Sequence, residues 1–269
     1  MILCASATSG LNRHPDGSWT CHPLTDKHMH ISLVIPAFNE ESRITGTLEK
    51  ADAFFSRQPY DAEIIVVDDG STDKTGAQVE AFQKKASTPL ILEVLPENRG
   101  KGAAVRQGML HKAKGDFRFF YDADSATPVE ELLRCDDLFE GRAEVLIGSR
   151  ALPESKIHKR QAWYRMTMGR CFNRIVRLLG LTAYADTQCG FKGFTKEAAQ
   201  ICFSRQTIDG FGFDAELLYI AARHGLRISE LPVNWYNSPQ SKVNPMSDAA
   251  RMFLDLFVIL KNSRTGRYD

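Results

Sequence analysis

The sequence predicts an open α/β sheet with helices on both faces. Short apolar runs, typical of buried parallel strands, alternate with segments whose apolar residues recur at helical spacing. The connections between them are short, which favours strands and crossover helices that belong to one sheet. The expected strands lie at 31–35, 64–67, 90–95, 117–121 and 144–148.

Local signals place the helices that follow these strands. Asn39 is expected to cap the first helix, with Glu40 and Glu41 in its first turn. The segment Gly100-Lys-Gly102 is expected to open another helix. Thr127-Pro-Val-Glu130 is a predicted capping box with proline at the first helical position.

The pattern changes after Arg150. A long helix is expected through Ala162, Met166, Ile175 and Leu179. A second helix is expected over 213–224, ended by Gly225, and a strand within 227–235. Residues 247–262 have the pattern of an amphipathic helix.

Most of the chain is expected to form one domain. Residues 1–30 are polar and lack the apolar core of a signal peptide, so they are expected to be a disordered or loosely attached tail; whether Met29 is the start stays open. The α/β domain is expected over 31–245, and a C-terminal amphipathic helix over 246–269. No run approaches the roughly 18 apolar residues that cross a bilayer.

Charge and cysteine content narrow the function classes. The 269 residues carry a net charge of +1, so the overall charge does not favour a nucleic-acid partner. The six cysteines form no CxxC pair and are widely spaced. This spacing indicates free thiols in a reducing cytoplasm rather than zinc ligands.

Three polar motifs follow three different apolar strands. They are Pro36-Ala-Phe-Asn-Glu40, Asp68-Asp69-Gly-Ser71 and Asp122-Ala-Asp124. Ligands of open α/β sheets bind beyond the carboxyl ends of the strands, so all three motifs are expected to face one crevice.

Asp122 and Asp124 have the residue types of a divalent-cation site. Two carboxylates repel a nucleoside diphosphate, but they can hold a hard cation, Mg²⁺ or Mn²⁺, that bridges to its phosphates. Such a cation also stabilises the charge that develops on a departing diphosphate. The alternative is an acidic turn with no ligand, which the position after a buried strand disfavours.

Two further motifs are expected near a nucleotide. Asp68 and Asp69 either cap the next helix or accept hydrogen bonds from a nucleobase or ribose. In Asn98-Arg-Gly-Lys-Gly102, backbone N–H groups at a helix start and the cation of Lys101 suit an anion. No GxxxxGK[ST] motif is present, and no GxGxxG follows the first strand, which disfavours a dehydrogenase.

These motifs together resemble family 2 glycosyltransferases. The resemblance rests on VIPAFNEE (34–41), VVDDGSTDKT (66–75), ENRGKGAAVRQGM (97–109) and YDADSATP (121–128), and it continues through IGSR (147–150), DTQCGFKGF (186–194) and GFGFDAELL (210–218). Within that family the chain looks like the group that transfers glucose or mannose to dolichyl or polyprenyl phosphate. The resemblance covers roughly residues 31 to 265 and implies a GT-A fold, a Rossmann-like open mixed sheet.

The resemblance implies a role for each matching residue. Pro36, Phe38, Glu40 and Asp69 are expected at the base and ribose, and Asp122 and Asp124 at the metal and diphosphate. Arg150 and Arg165 are expected to hold the acceptor phosphate, which suits the planar fork of arginine. Many mannosyl relatives have a glutamine where this chain has Ala126, which favours the glucosyl branch.

A phosphate acceptor changes the expected chemistry. A phosphate monoester is mostly ionised near neutrality, so it can attack the anomeric carbon directly, with inversion and without a general base. A saccharide hydroxyl would need one. Asp214 is then the candidate base; Glu216 is a second candidate, and Asp186 is expected to be structural or to cap a helix.

The competing hypotheses therefore differ in donor, acceptor or class. The leading one is transfer of glucose from UDP-glucose to a polyprenyl phosphate. GDP-mannose as donor, a saccharide hydroxyl as acceptor, and a non-catalytic nucleotide-sugar-binding protein are the alternatives. The last helix places apolar residues beside cations, so it is expected either to pack on the core or to lie on the cytoplasmic face of a membrane as a peripheral contact.

Overall fold

A computed structural model of the chain describes residues 10–13, 19–22, 29–159, 169, 172–177, 179–180, 183–236 and 247–269. Its central element is a mixed seven-stranded sheet. In chain order its strands are β3 (His30–Ala37), β4 (Asp61–Asp68), β5 (Leu90–Val94), β6 (Phe117–Tyr121), β7 (Val145–Ser149), β9 (Phe191–Thr195) and β10 (Ile228–Pro232). Two short strands, β1 (Gly10–Arg13) and β2 (Trp19–His22), pair with each other within the first 30 residues.

The strand order across the sheet is β10-β7-β9-β6-β3-β4-β5. Strand β9 runs antiparallel to its neighbours β6 and β7, and the other pairs are parallel. The order therefore reverses at β3, whose two neighbours lead to opposite edges of the sheet. Ligands bind at such reversal points, beyond the carboxyl ends of the strands.

Helices cover both faces of the sheet, as predicted. They are α1 (Ile44–Phe55), α2 (Thr75–Gln83), α3 (Lys101–Arg106, continued by a π-helical turn Gln107–Lys112), α4 (Asp136–Phe139), α5 (Lys196–Arg205), α6 (Phe213–Arg223) and α7 (Ser247–Arg264). One buried cluster joins β3 and β4 to α1 and α2, and a second joins the opposite face to α3, α5, α6 and α7. Because both faces are covered, most strand residues are apolar, which is the pattern seen in the sequence, although β9 contains the buried Lys192.

Two predicted helix starts are wrong. Helix α1 begins at Ile44, and Asn39 instead adopts a left-handed conformation with φ of 54°. Its side-chain oxygen accepts a hydrogen bond of 2.9 Å from the backbone N–H of Thr72, so it joins two loops rather than capping a helix. The predicted capping box at Thr127 is also not formed, because a 3₁₀ helix begins at Val129 without a side-chain cap.

The structure differs less for the remaining elements. Gly100 precedes α3, Gly225 follows α6 with φ of 68°, and the last helix is present as α7. The predicted long helix at 162–179 lies mostly outside the described residues, of which 172–177 are helical. Strand β8 (Lys156–Lys159) pairs with β11 (Asn234–Tyr236) in a small separate sheet. None of the helices in the described part of the chain is long and apolar enough to cross a membrane.

Candidate active site

A cleft of about 1280 Å³ opens beyond the carboxyl ends of β3, β4 and β6. This volume exceeds the range of roughly 300–1,000 Å³ that is usual for a single small ligand, so the cleft has room for a donor and part of an acceptor. The predicted site residues that line it are Pro36, Phe38, Glu40, Asp69, Lys101, Asp122, Asp124, Arg150 and Asp214. Arg165, also predicted, lies outside the described residues.

Asp122 and Asp124 follow β6 directly, in a tight turn. The turn is held by a 3.0 Å hydrogen bond from the backbone N–H of Ala126 to Asp124 Oδ1. Ser125, which lies between Asp124 and Ala126, has a φ of 51°. Burial, and then the nearby charge of Asp122, raise the pKa of Asp124. The turn thus concentrates negative charge in a partly buried site, and a bound cation would reduce the repulsion between the two carboxylates.

Lys101 and Gly190 fix the position of Asp122. The ammonium group of Lys101 lies 2.7 Å from Asp122 Oδ1, so the first residue of α3 reaches across the cleft to the end of β6. On the other side, a Cβ atom placed on Gly190 would lie 1.8 Å from Asp122 Oδ2. Only glycine leaves room for the carboxylate there. No group of three or more His, Cys, Asp or Glu within the described ranges could hold a metal, so a cation here would need ligands from the substrate or water.

Asp69 links the end of β4 to the start of α3. Its two carboxylate oxygens accept backbone N–H bonds of 2.9 Å from Arg99 and 2.8 Å from Gly100. Burial raises the pKa of Asp69, while these two hydrogen bonds oppose the rise. Gly100 has φ of 107°, and a Cβ atom there would lie 2.5 Å from the carbonyl oxygen of Asp209, so this turn requires glycine.

Asp68 behaves differently from Asp69. It is 3% exposed, and its Oδ1 accepts a 2.8 Å bond from the backbone N–H of Ser71. It is not among the described residues that line the cleft. The structure therefore gives Asp68 the turn-capping position and Asp69 the cleft position, the two alternatives that the sequence left open.

Glu40 is held by a residue that the sequence analysis missed. Arg43 pairs with both carboxylate oxygens of Glu40, through Nε and, at 2.6 Å, through a terminal nitrogen. Burial opposes the charge of Arg43, but Glu40 and then Asp124 and Asp122 raise its pKa. Arg43 thus adds a cation beside the acid pair. The Glu-x-x-Arg spacing in the turn before α1 was the available signal.

Arg150 forms a two-point ion pair with Asp186. The guanidinium donates to both carboxylate oxygens, at 2.6 and 2.9 Å, and the backbone N–H of Arg150 donates to the same group at 3.0 Å. Burial alone would raise the pKa of Asp186, but Arg150 lowers it to about 2. The ring of Trp235 lies 5.6 Å from the guanidinium carbon. Asp186 therefore orients the arginine, in line with the structural role expected for it.

Asp214 lies at the start of α6 and is 2% exposed. The ammonium group of Lys192, which is fully buried, lies 2.5 Å from Asp214 Oδ1 and donates a second bond of 2.7 Å to the carbonyl of Cys189. Burial raises the pKa of Asp214, and Lys192 opposes the rise. The sequence analysis missed Lys192, because its partner is remote in sequence.

Glu216 is not in the cleft. It is fully buried and accepts hydrogen bonds from the backbone of Thr207 and Ile208 and from the hydroxyl of Tyr268 at 2.7 Å. With this number of donors, it ties the loop after α5 to the last residues of the chain. Its position disfavours the role of a base that the sequence analysis allowed it.

Comparison with known proteins identifies the family of the chain. The model of the family "Glycosyl transferase family 2" matches residues 32–202. The chain is 34% identical to the dolichyl-phosphate beta-glucosyltransferase of Saccharomyces cerevisiae over 97% of this chain and 80% of that protein. The human protein of the same name is also 34% identical, over 88% of this chain and 77% of that protein.

Solved structures match the fold. A Mycobacterium tuberculosis glucosyl-3-phosphoglycerate synthase, crystallised with Mn²⁺, UDP-glucose and phosphoglyceric acid, has a TM-score of 0.62 at 20% identity. The match covers 88% of this chain and 80% of that one. The fold is therefore the GT-A type, as predicted. With a family model that covers most of the domain, the chain belongs to glycosyl transferase family 2.

Proposed function

We propose that this chain transfers glucose from UDP-glucose to dolichyl phosphate or a similar polyprenyl phosphate, with inversion at the sugar. The observation that carries the proposal is the similarity to relatives named for that activity, which extends over 85% to 97% of this chain. Their names specify a β product, and UDP-glucose is an α-glycoside, so the reaction that they imply is a single inverting displacement.

The donor half of the cleft supports a nucleotide-sugar. Pro36, Phe38 and Asp69 line the part of the cleft between β3 and β4, where a base and ribose would lie. Asp122 and Asp124 would hold the divalent cation, Mg²⁺ or Mn²⁺. When bound, it would offset the negative charge of the diphosphate and stabilise the charge that develops as the diphosphate leaves. The donor set fits such a cation, since two oxygen ligands in an acidic turn leave positions for phosphate oxygens. Lys101 is placed to add a further positive charge.

The acceptor half supports a phosphate. Arg150 lines the cleft with its side chain 27% exposed, so the guanidinium retains donors that face the opening. Asp186 holds it in one orientation, which lowers the entropy cost of binding an anion. A phosphate acceptor brings its own charged oxygen, so no residue has to remove a proton. The engagement of Asp214 by Lys192 fits this mechanism better than one in which Asp214 is the base.

Peripheral membrane contact is part of the proposal. A polyprenyl chain stays in the bilayer, so the enzyme would meet its acceptor at the surface, on the cytoplasmic side where UDP-glucose is made. Helix α7 carries exposed apolar side chains together with Arg251, Lys261 and Arg264, a composition that suits an anionic interface.

A donor screen tests the proposal. The protein would be incubated with Mg²⁺ or Mn²⁺, a short polyprenyl phosphate, and in turn UDP-glucose, GDP-mannose, UDP-GlcNAc and UDP-galactose, and both nucleotide release and lipid product would be measured. Lipid-linked glucose from UDP-glucose alone is the expected result. Lipid-linked mannose from GDP-mannose would replace the donor, and nucleotide release without lipid product would point to a saccharide acceptor.

Two variants serve as controls. Asp124→Asn is expected to abolish product and to remove the metal dependence of UDP binding, which calorimetry measures without any turnover. Glu130→Gln changes an exposed carboxylate six residues farther along the chain and is expected to behave as wild type. If Asp124→Asn retained metal-dependent UDP binding, the acid pair would not be the metal site.

A further inference from the structure

Helix α7 has one face in the core and one in solvent. Leu256 and Ile259 are buried within the cluster that joins α7 to α6. Leu254 is 65% exposed, Phe257 64% and Val258 40%. Because these three lie at i, i+3 and i+4, they form one continuous outer stripe on the helix. Large exposed apolar side chains grouped in this way mark a contact surface.

The outer stripe continues into the cleft. Leu254 and Val258 also line the cleft, as do Met252 and Phe253 from the same helix. Phe253 packs edge-on against Phe172, with ring centroids 5.8 Å apart, so this part of the wall is aromatic. Arg251 and Asp255 of the same helix also line the cleft, on either side of residues 252–254 in the sequence. An apolar strip therefore leads from the interior of the cleft to the open side chain of Phe257.

The other end of the same cleft is charged. It is lined by Arg150, Lys101 and the acid pair. A ligand that is complementary to both parts has a phosphate at one end and a hydrocarbon chain at the other. A free sugar phosphate would leave the apolar wall exposed to water and would gain none of the free energy that burial of that wall releases in proportion to its area.

We infer that helix α7 is the path along which the isoprenoid chain of the acceptor leaves the cleft, with Leu254, Phe257 and Val258 in contact with the isoprene units beyond the first few. This inference rests on the proposed function and adds the location of the tail. It separates the role of α7 in holding the acceptor from its role as a general membrane contact.

The test compares two acceptors in the wild-type protein and three variants. Phe257→Ser removes the most outward ring, which does not line the cleft, and Phe257→Leu retains an apolar side chain. Val94→Ser is the matched control, because Val94 is 59% exposed on edge strand β5 and is not among the described residues that line the cleft. Each protein would be assayed in detergent micelles with UDP-glucose and either a polyprenyl phosphate of one to two isoprene units or one of about ten.

For Phe257→Ser we expect a KM for the long acceptor about tenfold above wild type, from the loss of one well-covered aromatic contact. The short acceptor, whose chain is too short to reach Phe257 outside the cleft lining, should show unchanged kcat and KM. Phe257→Leu should recover most of the loss, and Val94→Ser should match wild type on both acceptors.

Other outcomes separate the inference from the proposed function. Equal KM values of Phe257→Ser and wild type for the long acceptor would refute the tail path alone, and so would an equal loss on both acceptors. Wild-type protein that glucosylates neither acceptor would refute the proposed function and the inference with it. Flotation with acceptor-free vesicles adds a check: a variant that lost vesicle binding but kept its long-acceptor KM in micelles would make α7 a membrane contact only.

Discussion

Removal of one partner of the buried ion pair of Lys192 and Asp214 is expected to destabilise the fold strongly. Lys192 is fully buried in β9, Asp214 is 2% exposed, and their charged atoms lie 2.5 Å apart. The perturbation is Lys192→Met, which keeps the length and apolar character of the side chain and removes only the charge. The carboxylate of Asp214 then stays buried. Within the described part of the chain, Lys101 is the other cation that lowers its pKa.

Removing one partner of a buried pair costs about 3–5 kcal/mol, because it leaves the other charge without compensation. Lys101 continues to oppose the rise in the pKa of Asp214, which favours the lower part of this range. For a chain of this size, 1 kcal/mol shifts Tm by about 2–4 °C, so the Tm of Lys192→Met should fall by roughly 6–12 °C. The double variant Lys192→Met/Asp214→Asn should recover more than half of that loss, since no charge is left behind.

Thermal unfolding at several pH values measures this effect. In Lys192→Met, Asp214 would have a folded-state pKa further above its unfolded-state pKa, so the folded state would take up a proton. A raised carboxyl pKa disfavours the folded state increasingly as pH rises between those two values. The stability deficit of the variant should therefore shrink as the pH is lowered from 7 to 4. A variant as stable as wild type at pH 7, or a deficit that grows on acidification, would refute the pairing.

Three further perturbations test the geometry of the cleft and its supports. Gly190→Ala should lower kcat/KM about 100-fold by displacing the carboxylate beside it. Gly46→Ala in α1, which does not line the cleft and where an added Cβ meets nothing within 4 Å, should leave kinetics unchanged. Arg150→Gln should destabilise the protein most near pH 7 and progressively less from about pH 4 to pH 2. The reason is that Arg150 lowers the pKa of Asp186 to about 2, so the stability that this pair contributes is lost as Asp186 is protonated. A loss of stability that is independent of pH in unfolding curves would contradict this. Tyr268→Phe should cost about 1–3 kcal/mol in chemical denaturation through its lost hydrogen bond to a buried carboxylate, with kcat within twofold of wild type, and a loss of kcat without a loss of stability would be the opposite result.

The sheet could be predicted from the sequence because its strands are covered on both faces. Such strands are continuous apolar runs, and those at 31–35, 64–67, 90–95, 117–121 and 144–148 all lie in strands of the structure or within one residue of their ends. Strand β9 was not predicted. It contains Lys192, and a charged residue in a fully buried strand hides the apolar pattern. The position of β9 between β6 and β7 also depends on pairing that leaves no local signal.

The sequence predicted the common location of the polar motifs more reliably than the role of each residue in them. Motifs that follow strands of one parallel sheet meet at one edge, so the cleft follows from the topology alone. What each residue does there depends on partners distant in sequence. From the sequence, Glu216 was as good a candidate for a base as Asp214, two residues earlier. A helix turns about 200° between the two positions, so Asp214 faces the cleft and Glu216 faces the core. Asn39 failed as a cap because a contact to Thr72 determines its conformation.

The acidic side chains of the described cleft and its walls bear on the choice of acceptor. Asp186 is engaged by Arg150, Asp214 by Lys192 and Asp122 by Lys101. A general base for a sugar hydroxyl must reach the hydroxyl proton and hold it as the bond forms, and each of these carboxylates would first have to give up a cation within 2.7 Å.

Asp124 also lines the cleft and, like Asp69 and Asp255, makes no such close ion pair within the described part of the chain; it lies in the acid pair that would meet the diphosphate. An acceptor that arrives already ionised avoids the conflict. The same cations that occupy the carboxylates also make this region attractive to a phosphate, since Arg150 retains donors that face the cleft. The charge arrangement that makes hydroxyl activation costly is thus the arrangement that favours a phosphate nucleophile, so a phosphate acceptor and the absence of a base belong to one hypothesis. Asp214→Asn should therefore retain turnover with a polyprenyl phosphate. Loss of turnover in this variant, with nucleotide-sugar binding intact, would refute both parts together.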